Sequence, residues 1–299
     1  MVNQHDEQEV SGFSQEWLSL REPADHAARS SALNEVLLDW TSRKTPLRIM
    51  DFGTGTGSNL RYLCPLLGHD QHWTLVDNDA QLLSNLPDIL SQWATPNGIA
   101  MQRSGDTITL SNEVFSACVQ WQQTDLANDL PSLPFGKTDL VTGSALLDLT
   151  SGDWLDHLAS QCMEHRCASL FVLNYDGRIE WQPADDEDAL MRQRLNQHQL
   201  NDKGFGDALG PLAGHYLAEQ LKPRQQVTVM PSDWILGCEY HDLQSALIEG
   251  WTGAAIEQDT GRQDSIEQWR IVRDSHNAHH QSSLTVGHID VLALPPAAE

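Results

Sequence analysis

Positive charge is what this sequence most lacks. Eighteen lysines and arginines stand against 42 aspartates and glutamates, a net charge of −24 at pH 7 over 299 residues. A nucleic-acid backbone or an anionic membrane surface repels such a chain, so neither is expected as its main partner. No run of Lys and Arg provides a local exception. Long apolar runs are missing as well, since no segment approaches the ~18 consecutive apolar residues of a membrane helix. The opening stretch Met1–Val10 has no basic n-region and no apolar h-region, so it is not expected to act as a secretory signal. The five cysteines, at positions 64, 118, 162, 167 and 238, form no C-x-x-C pair. An odd, scattered set fits reduced thiols, and the cytoplasm is the expected compartment. There is no internal repeat and no low-complexity tract.

Apolar residues make up 40% of the chain, enough for a core. At ~150 residues per domain the length allows two domains, or one large α/β domain with additions. Residues 1–44 read as helical, with Trp17, Leu18, Leu20, Ala27, Leu33, Val36, Leu37 and Trp40 approximating one apolar face. Pro23 is expected to divide this stretch into two short helices. Leu47–Asp51 is a short apolar strand that runs straight into glycines. Strand patterns at 72–76, 114–122, 139–143 and 168–173 then alternate with helical patterns at 59–67, 80–93 and 153–164. Such alternation predicts a mostly parallel sheet with helices on both faces. After Asn174 the rhythm changes. Residues 175–206 are polar and charged, followed by a helix at 210–221 and a strand at 226–230. Helices at 241–258 and 265–278 and a last strand at 285–294 complete the chain.

The sharpest local signal is Met50-Asp51-Phe52-Gly53-Thr54-Gly55-Thr56-Gly57-Ser58-Asn59. A strand enters closely spaced glycines and a helix leaves them, so backbone amides can approach a ligand closely. The dinucleotide fingerprint G-x-G-x-x-G/A accounts for Gly53 and Gly55 but meets Ser58 at its third position, while Gly57 arrives one residue early. Asp51 has no place in that fingerprint. Asp-x-Gly-x-Gly-x-Gly instead resembles the first motif of class I S-adenosylmethionine-dependent methyltransferases. The next elements extend the resemblance over about residues 45–175. The strand His72–Asp77 ends in a carboxylate able to accept both hydrogen bonds of a ribose diol, a feature shared with NAD enzymes. Trp121–Leu126 places Asp125 after the third strand, and Thr138–Leu149 is similar to the fourth strand of the family.

The resemblance implies a Rossmann-like class I methyltransferase fold, a seven-stranded mostly parallel sheet with helices on both faces, and S-adenosyl-L-methionine as cofactor. It implies that Asp51, Gly53, Thr54, Gly55, Gly57, Asp77, Asn78, Asp125, Leu126, Ser144 and Ala145 line the cofactor. Asp51 would act near the methionine ammonium, Asp125 near the adenine amino group and the end of the fourth strand near the sulfonium. Taken singly, Asp77 and Asp125 also suit turn or helix-cap chemistry.

The methyl acceptor is harder to read, because a single displacement needs alignment more than a fixed set of side chains. Asp148, Tyr175 and His198 are the candidates for catalysis, His198 because its ordinary pKa suits a base. Asp148 also reads as the cap of the following helix or as a residue in the turn before it, and His198 as an exposed helix residue. Trp17, Arg21, Asp176 and Arg178 are the candidates for acceptor binding. Trp17 and Arg21 share a helix face, and Arg21 can bind a carboxylate or pair with Glu22 or Asp25. Asp176-Gly177 is also an ordinary turn signal. Phe205, between Gly204 and Gly206, reads as a hinge or as turn packing. His276, His279 and His280 read as a polar loop, and no metal is expected. Asp185–Asp188 reads as a solvated helix start.

One domain is expected over 1–299. Residues 1–44 form a helical cap, 45–175 the cofactor-binding half and 176–299 the substrate-side half. The helical stretch 241–278 departs from the family layout and is expected to cover the pocket or to form a homodimer surface. The expected function is methyl transfer from S-adenosylmethionine to a small molecule, through oxygen, nitrogen or carbon. An NAD(P)-dependent oxidoreductase and a non-catalytic S-adenosylmethionine-binding module are the rival readings.

Overall fold

A computed structural model describes residues 13–297. The reading of Met1–Val10 falls outside them. Helix α1 spans Gln15–Ala28 and α2 spans Ser31–Thr41. The break expected at Pro23 lies instead at Arg29–Ser30, because contacts on both sides of the proline hold α1 in place. Arg21 pairs with Asp25 at 2.9 Å, and Glu22 pairs with Arg61. Ser30 then starts α2 by accepting the Leu33 amide, while its own amide donates to Asp290 at 3.1 Å.

The chain continues as β1 (Leu47–Phe52), α3 (Ser58–Leu67), β2 (His69–Asp77) and α4 (Ala80–Ala94). A hairpin of β3 (Ala100–Ser104) and β4 (Thr107–Ser111) precedes β5 (Phe115–Gln123), α5 (Leu126–Asp129), β6 (Leu140–Ser144) and α6 (Gly152–Glu164). Then come β7 (Ala168–Gln182), α7 (Asp188–Gln199), α8 (Ala213–Leu221), β8 (Gln226–Pro231) and β9 (Trp234–Leu236). Helices α9 (His241–Gln258) and α10 (Gln263–Ala278) lead to β10 (Ser283–Leu294).

The strands form one sheet in the order β3-β4-β5-β2-β1-β6-β7-β10-β8, with β9 on β10. Strands β5, β2, β1, β6 and β7 run parallel, while β10 is antiparallel to β7 and to β8. The seven expected strands are β1, β2, β5, β6, β7, β8 and β10. The β3–β4 hairpin and β9 raise the count to ten. The hairpin escaped the sequence pattern because β3 buries none of its side chains. Strand β7 also runs beyond the expected end at Leu173, since Ile179 and Trp181 alternate inward from its polar half.

From β1 the chain crosses to β2 on one side and later to β6 on the other. The crevice between β1 and β6 is thus the switch point, where ligands of open α/β sheets bind at the carboxyl ends of the strands. Trp73 and Leu75 of β2 pack under α3 and α4 on one sheet face, while Phe52, Phe135 and Phe171 pack under α6 on the other. No helix of the described residues is long and apolar enough to cross a membrane.

The α9–α10 pair is anchored by a buried charge. The Arg273 side chain is 0% exposed, stacks over Trp181 at 4.9 Å and donates to both Asp188 oxygens at 2.5 and 2.6 Å. Asp188 also accepts the Trp269 indole at 2.9 Å. The end of the acidic run is therefore an ion-pair hub, not the solvated helix start read from sequence, because α10 closes over it. Removing one partner leaves the other charge buried and alone. Asp188→Ala is expected to lower the unfolding free energy by about 3 kcal/mol, read from urea titration. A loss under about 1 kcal/mol, the range of surface pairs, would contradict this account.

Candidate functional site

The site begins at the carboxyl end of β1. Asp51 is fully buried, and its two oxygens accept the Asn59 amide and the Thr54 hydroxyl, each at 2.7 Å. Asn59 also reaches Thr142 of β6 at 3.0 Å, and its carbonyl accepts Arg29 at 2.9 Å. Burial pushes the Asp51 carboxyl up to about 6, against the pull of the Thr54 and Asn59 hydrogen bonds. Gly53, Gly55 and Gly57 all take positive φ. At Gly55, φ is +53° and an added Cβ would lie 3.1 Å from Leu18 of α1, so the turn needs glycine for its backbone and for its roof.

Asp77 ends β2 on the other side of this turn. One of its oxygens accepts the Gly55 amide at 2.7 Å and the other the Asp79 amide at 2.9 Å. Burial raises its pKa, opposed by those amides. The glycine turn is therefore strapped between two carboxylates.

The remaining candidates near the turn are more open. Asp125 is exposed and caps α5, accepting the Ala127 amide at 3.0 Å and the Asn128 side chain at 2.7 Å. Its carboxylate is thus engaged in helix capping. The Asn78 carbonyl accepts Gln123 at 3.0 Å, and the Leu126 carbonyl accepts the Trp154 indole at 2.7 Å. Ser144 ends β6. Ala145 follows at φ +51°, a left-handed conformation costing roughly 1–3 kcal/mol in a non-glycine residue, and its amide is tied to the Val172 carbonyl at 2.9 Å.

Beyond Ala145 opens a cavity of about 160 Å³. Trp17 and Arg21 of α1 form one wall, Trp234 and Trp251 another, and Asp148, Tyr175, Gln199 and His288 supply polar groups. Asp148 lies in a short turn at Leu147–Leu149, and Ser151 caps α6 in its place. Burial pushes the Asp148 carboxyl up to about 6, opposed by its own backbone amide and by Arg21. Its Oδ1 is buried with no hydrogen-bond partner among the described residues, and so is the Gln199 Oε1. The His288 Nδ1 lies 3.0 Å from the Val286 carbonyl, which assigns the proton to Nδ1 and leaves Nε2 a lone pair. Burial first, then Arg21, lowers its pKa to about 3, so the ring is neutral. The Tyr175 hydroxyl donates to Asn196 at 2.7 Å, and burial raises its pKa.

The fold thus brings Trp17, Arg21, Ala145, Asp148 and Tyr175 to one cavity. Three sequence candidates are elsewhere. His198 does not line the cavity and faces Glu257 of α9 at 3.2 Å. Asp176 and Arg178 form an ion cluster with Asp233 outside the cavity wall, because bulges in the β7–β10 pairing turn them outward. Arg21 makes the Asp25 ion pair, with both partners largely buried. Phe205 packs edge-on against Trp154 at 5.4 Å.

Sequence reading missed Arg29, Gln199 and His288, and noted Trp234 and Trp251 only as tryptophans near the 241–278 stretch. Arg29 sits between two helices, fully enclosed, with Nε and one terminal nitrogen unpartnered among the described residues. Trp234 and Trp251 could be named but not placed, since their helix and strand come late in the chain.

No family model matches the chain, and no curated protein matches it. Solved structures of similar outline exist. A cyclopropane-fatty-acyl-phospholipid synthase-like protein from Lactobacillus casei shares 14% identity over 95% of this chain and 94% of its own, with a TM-score of 0.49. An S-adenosylmethionine-dependent methyltransferase from Geobacter sulfurreducens, solved with S-adenosyl-L-homocysteine, shares 12% identity over 95% of this chain and 99% of its own, at 0.43. A methyltransferase from Thiobacillus denitrificans, with the same ligand, shares 13% over 94% and 99%, at 0.44. Such figures describe outline only, and the chemistry of the site rests on its residues.

The rise of Asp148 from 3.8 to about 6 corresponds to roughly 3 kcal/mol against the ionised folded state. The unfolded chain loses this proton first, so the group costs stability as pH rises from about 4 to about 6 and no more above that. Asp148→Asn is expected to be more stable than the parent at pH 8, by roughly 2 kcal/mol, and equal to it near pH 4. Melting curves at both pH values check this. A variant less stable at pH 8 would show that the carboxylate is well bonded.

Proposed function

We propose that this chain is an S-adenosylmethionine-dependent methyltransferase acting on a small molecule. The observation that supports it most is the glycine turn at the β1–β6 switch point, held between Asp51 and Asp77, with a cavity lined in part by three tryptophans opening at Ala145. In this reading Gly53, Thr54, Gly55 and Gly57 bring backbone to the cofactor. Asp77 would accept its ribose diol, and Asn78, Asp125 and Leu126 would border its adenine. Ser144 and Ala145 would face the reacting centre. The sulfonium, when bound, supplies the methyl group. The protein aligns the acceptor and excludes water through Trp17, Trp234 and Trp251.

Arg29 is enclosed with Asp290, Tyr62, Asp25 and Asp51 around it, and in this reading it steadies the glycine turn through Asn59. The same reading makes residues 1–44 a cap, 45–175 the cofactor half and 176–299 the acceptor half of one working unit.

The α3 terminus speaks against a nicotinamide dinucleotide. A pyrophosphate needs the first turn of the helix after the glycines. Here His26 of α1 sits 3.0 Å from the Ser58 hydroxyl, with the Glu22 carboxylate 3.7 Å from the same ring nitrogen. Helix α1 therefore crowds this terminus at the Ser58 hydroxyl and carbonyl, with the Glu22–Arg61 ion pair beside it, which leaves a pyrophosphate less room there.

Isothermal titration with S-adenosylmethionine, S-adenosylhomocysteine, NADH and NADPH tests the proposal. Saturable binding of the sulfur nucleosides alone is expected, weakened at least tenfold by Gly55→Val and by Asp77→Ala. Unchanged affinity in both variants would remove the site assignment. Binding of a nicotinamide nucleotide alone would make Asp77 the ribose acid of a dehydrogenase.

A further inference from the structure

The polar groups of the cavity are unbalanced. Among the described residues Asp148 presents a buried oxygen with no partner, Gln199 presents another, and the His288 Nε2 offers a lone pair. All three are acceptors on the wall of one cavity. The guanidinium on that wall, Arg21, already donates to both oxygens of Asp25 at 2.9 and 3.2 Å. Its plane lies over Trp234, 5.1 Å from the ring centroid, so its charge is matched on one side and stacked on the other. The Tyr175 hydroxyl gives its proton to Asn196. A buried acceptor without a donor is costly unless a ligand supplies the donor.

The rest of the wall narrows the donor. Trp17 and Trp234 already face Arg21, at 6.0 and 5.1 Å, while Trp251 adds a further aromatic face to the wall, and such faces attract cations. The chain as a whole carries a charge of −24, which draws cations and repels anions. A volume of about 160 Å³ suits a body on the order of a benzene ring, since an engineered cavity of roughly 150 Å³ holds benzene.

We infer that the cavity binds a small organic amine in its ammonium form, with Asp148 as its anchor, Gln199 as a second acceptor and the tryptophans around its apolar body. That this amine is also the methyl acceptor rests on the function proposed above. The binding itself does not.

Three probes of one shape separate the outcomes. These are 2-phenylethylamine, 2-phenylethanol and phenylacetate, titrated into the full chain with and without S-adenosylhomocysteine. The amine is expected to bind at least tenfold more tightly than the alcohol, with the acid weakest. Asp148→Asn should weaken the amine at least tenfold and leave the alcohol nearly unchanged, and Gln199→Leu should cause a smaller loss. Melting curves confirm that each variant is folded. Alcohol or acid binding as tightly as the amine, or full amine affinity in Asp148→Asn, would overturn the inference. A chain that binds S-adenosylhomocysteine but none of the probes would overturn it too and leave the cofactor assignment intact. Amine binding without any nucleoside binding would remove the proposed transferase and keep the amine site.

Discussion

The Asp51 carboxylate is the anchor of a buried network on which the glycine turn depends. It has no contact with solvent, and it is held by Thr54 from the glycine turn and Asn59 from α3. Asn59 passes the connection on to Thr142 of β6 and to Arg29 at the α1–α2 junction. Five chain segments, β1 included, therefore meet through one side chain and its amide neighbour. A buried, hydrogen-bonded network of this kind specifies one arrangement, because any slip leaves polar groups without partners. The position of the glycine turn follows from it. So does the placement of the cap helices, whose junction is tied by Arg29 to Asn59 and by the Ser30 amide to Asp290.

Two carboxylates near the site are raised to about the same value by burial, yet they differ in kind. Asp51 has both oxygens bonded and serves the architecture. Asp148 has an oxygen with nothing to bond among the described residues and stands on the cavity wall. A protein keeps a destabilising group of the second sort when something other than stability needs it. The left-handed Ala145, on the same wall, is a second departure from local preference in the same few residues. Departures from local preference concentrate where function lies.

Much of the sheet was legible in the sequence, for a physical reason. Strands buried on both faces, such as Leu47–Phe52 and Leu140–Ser144, read as short apolar runs punctuated by glycine. The carboxylates Asp51 and Asp77 were legible with them, because they sit at the strand ends in sequence as well as in space. The β3–β4 hairpin was not, since its outer strand buries nothing. The second half of β7 was hidden by its polar residues, which also misplaced Asp176 and Arg178. His198 was chosen for its chemistry, but the register of α7 against α9 turns it to Glu257. Of the cavity, Trp17, Arg21, Asp148 and Tyr175 were found from their nearness to known strand ends and the cap. Gln199, Trp234, Trp251 and His288 arrive from α7, β9, α9 and β10, and only the folded chain brings them together.

Helix α1 has a property that belongs to neither compartment alone. Within little more than three turns it offers Trp17 and Arg21 to the cavity, Leu18 to Gly55, Glu22 to Arg61 and His26 to Ser58. A ligand that displaced Leu18 would displace the helix that also lines the cavity. Occupancy on one side is then a boundary condition on the other. If both proposed sites are occupied and coupled through this helix, thermodynamics requires each ligand to alter the affinity for the other by the same factor. The order in which two ligands arrive would be written into the stiffness of one helix.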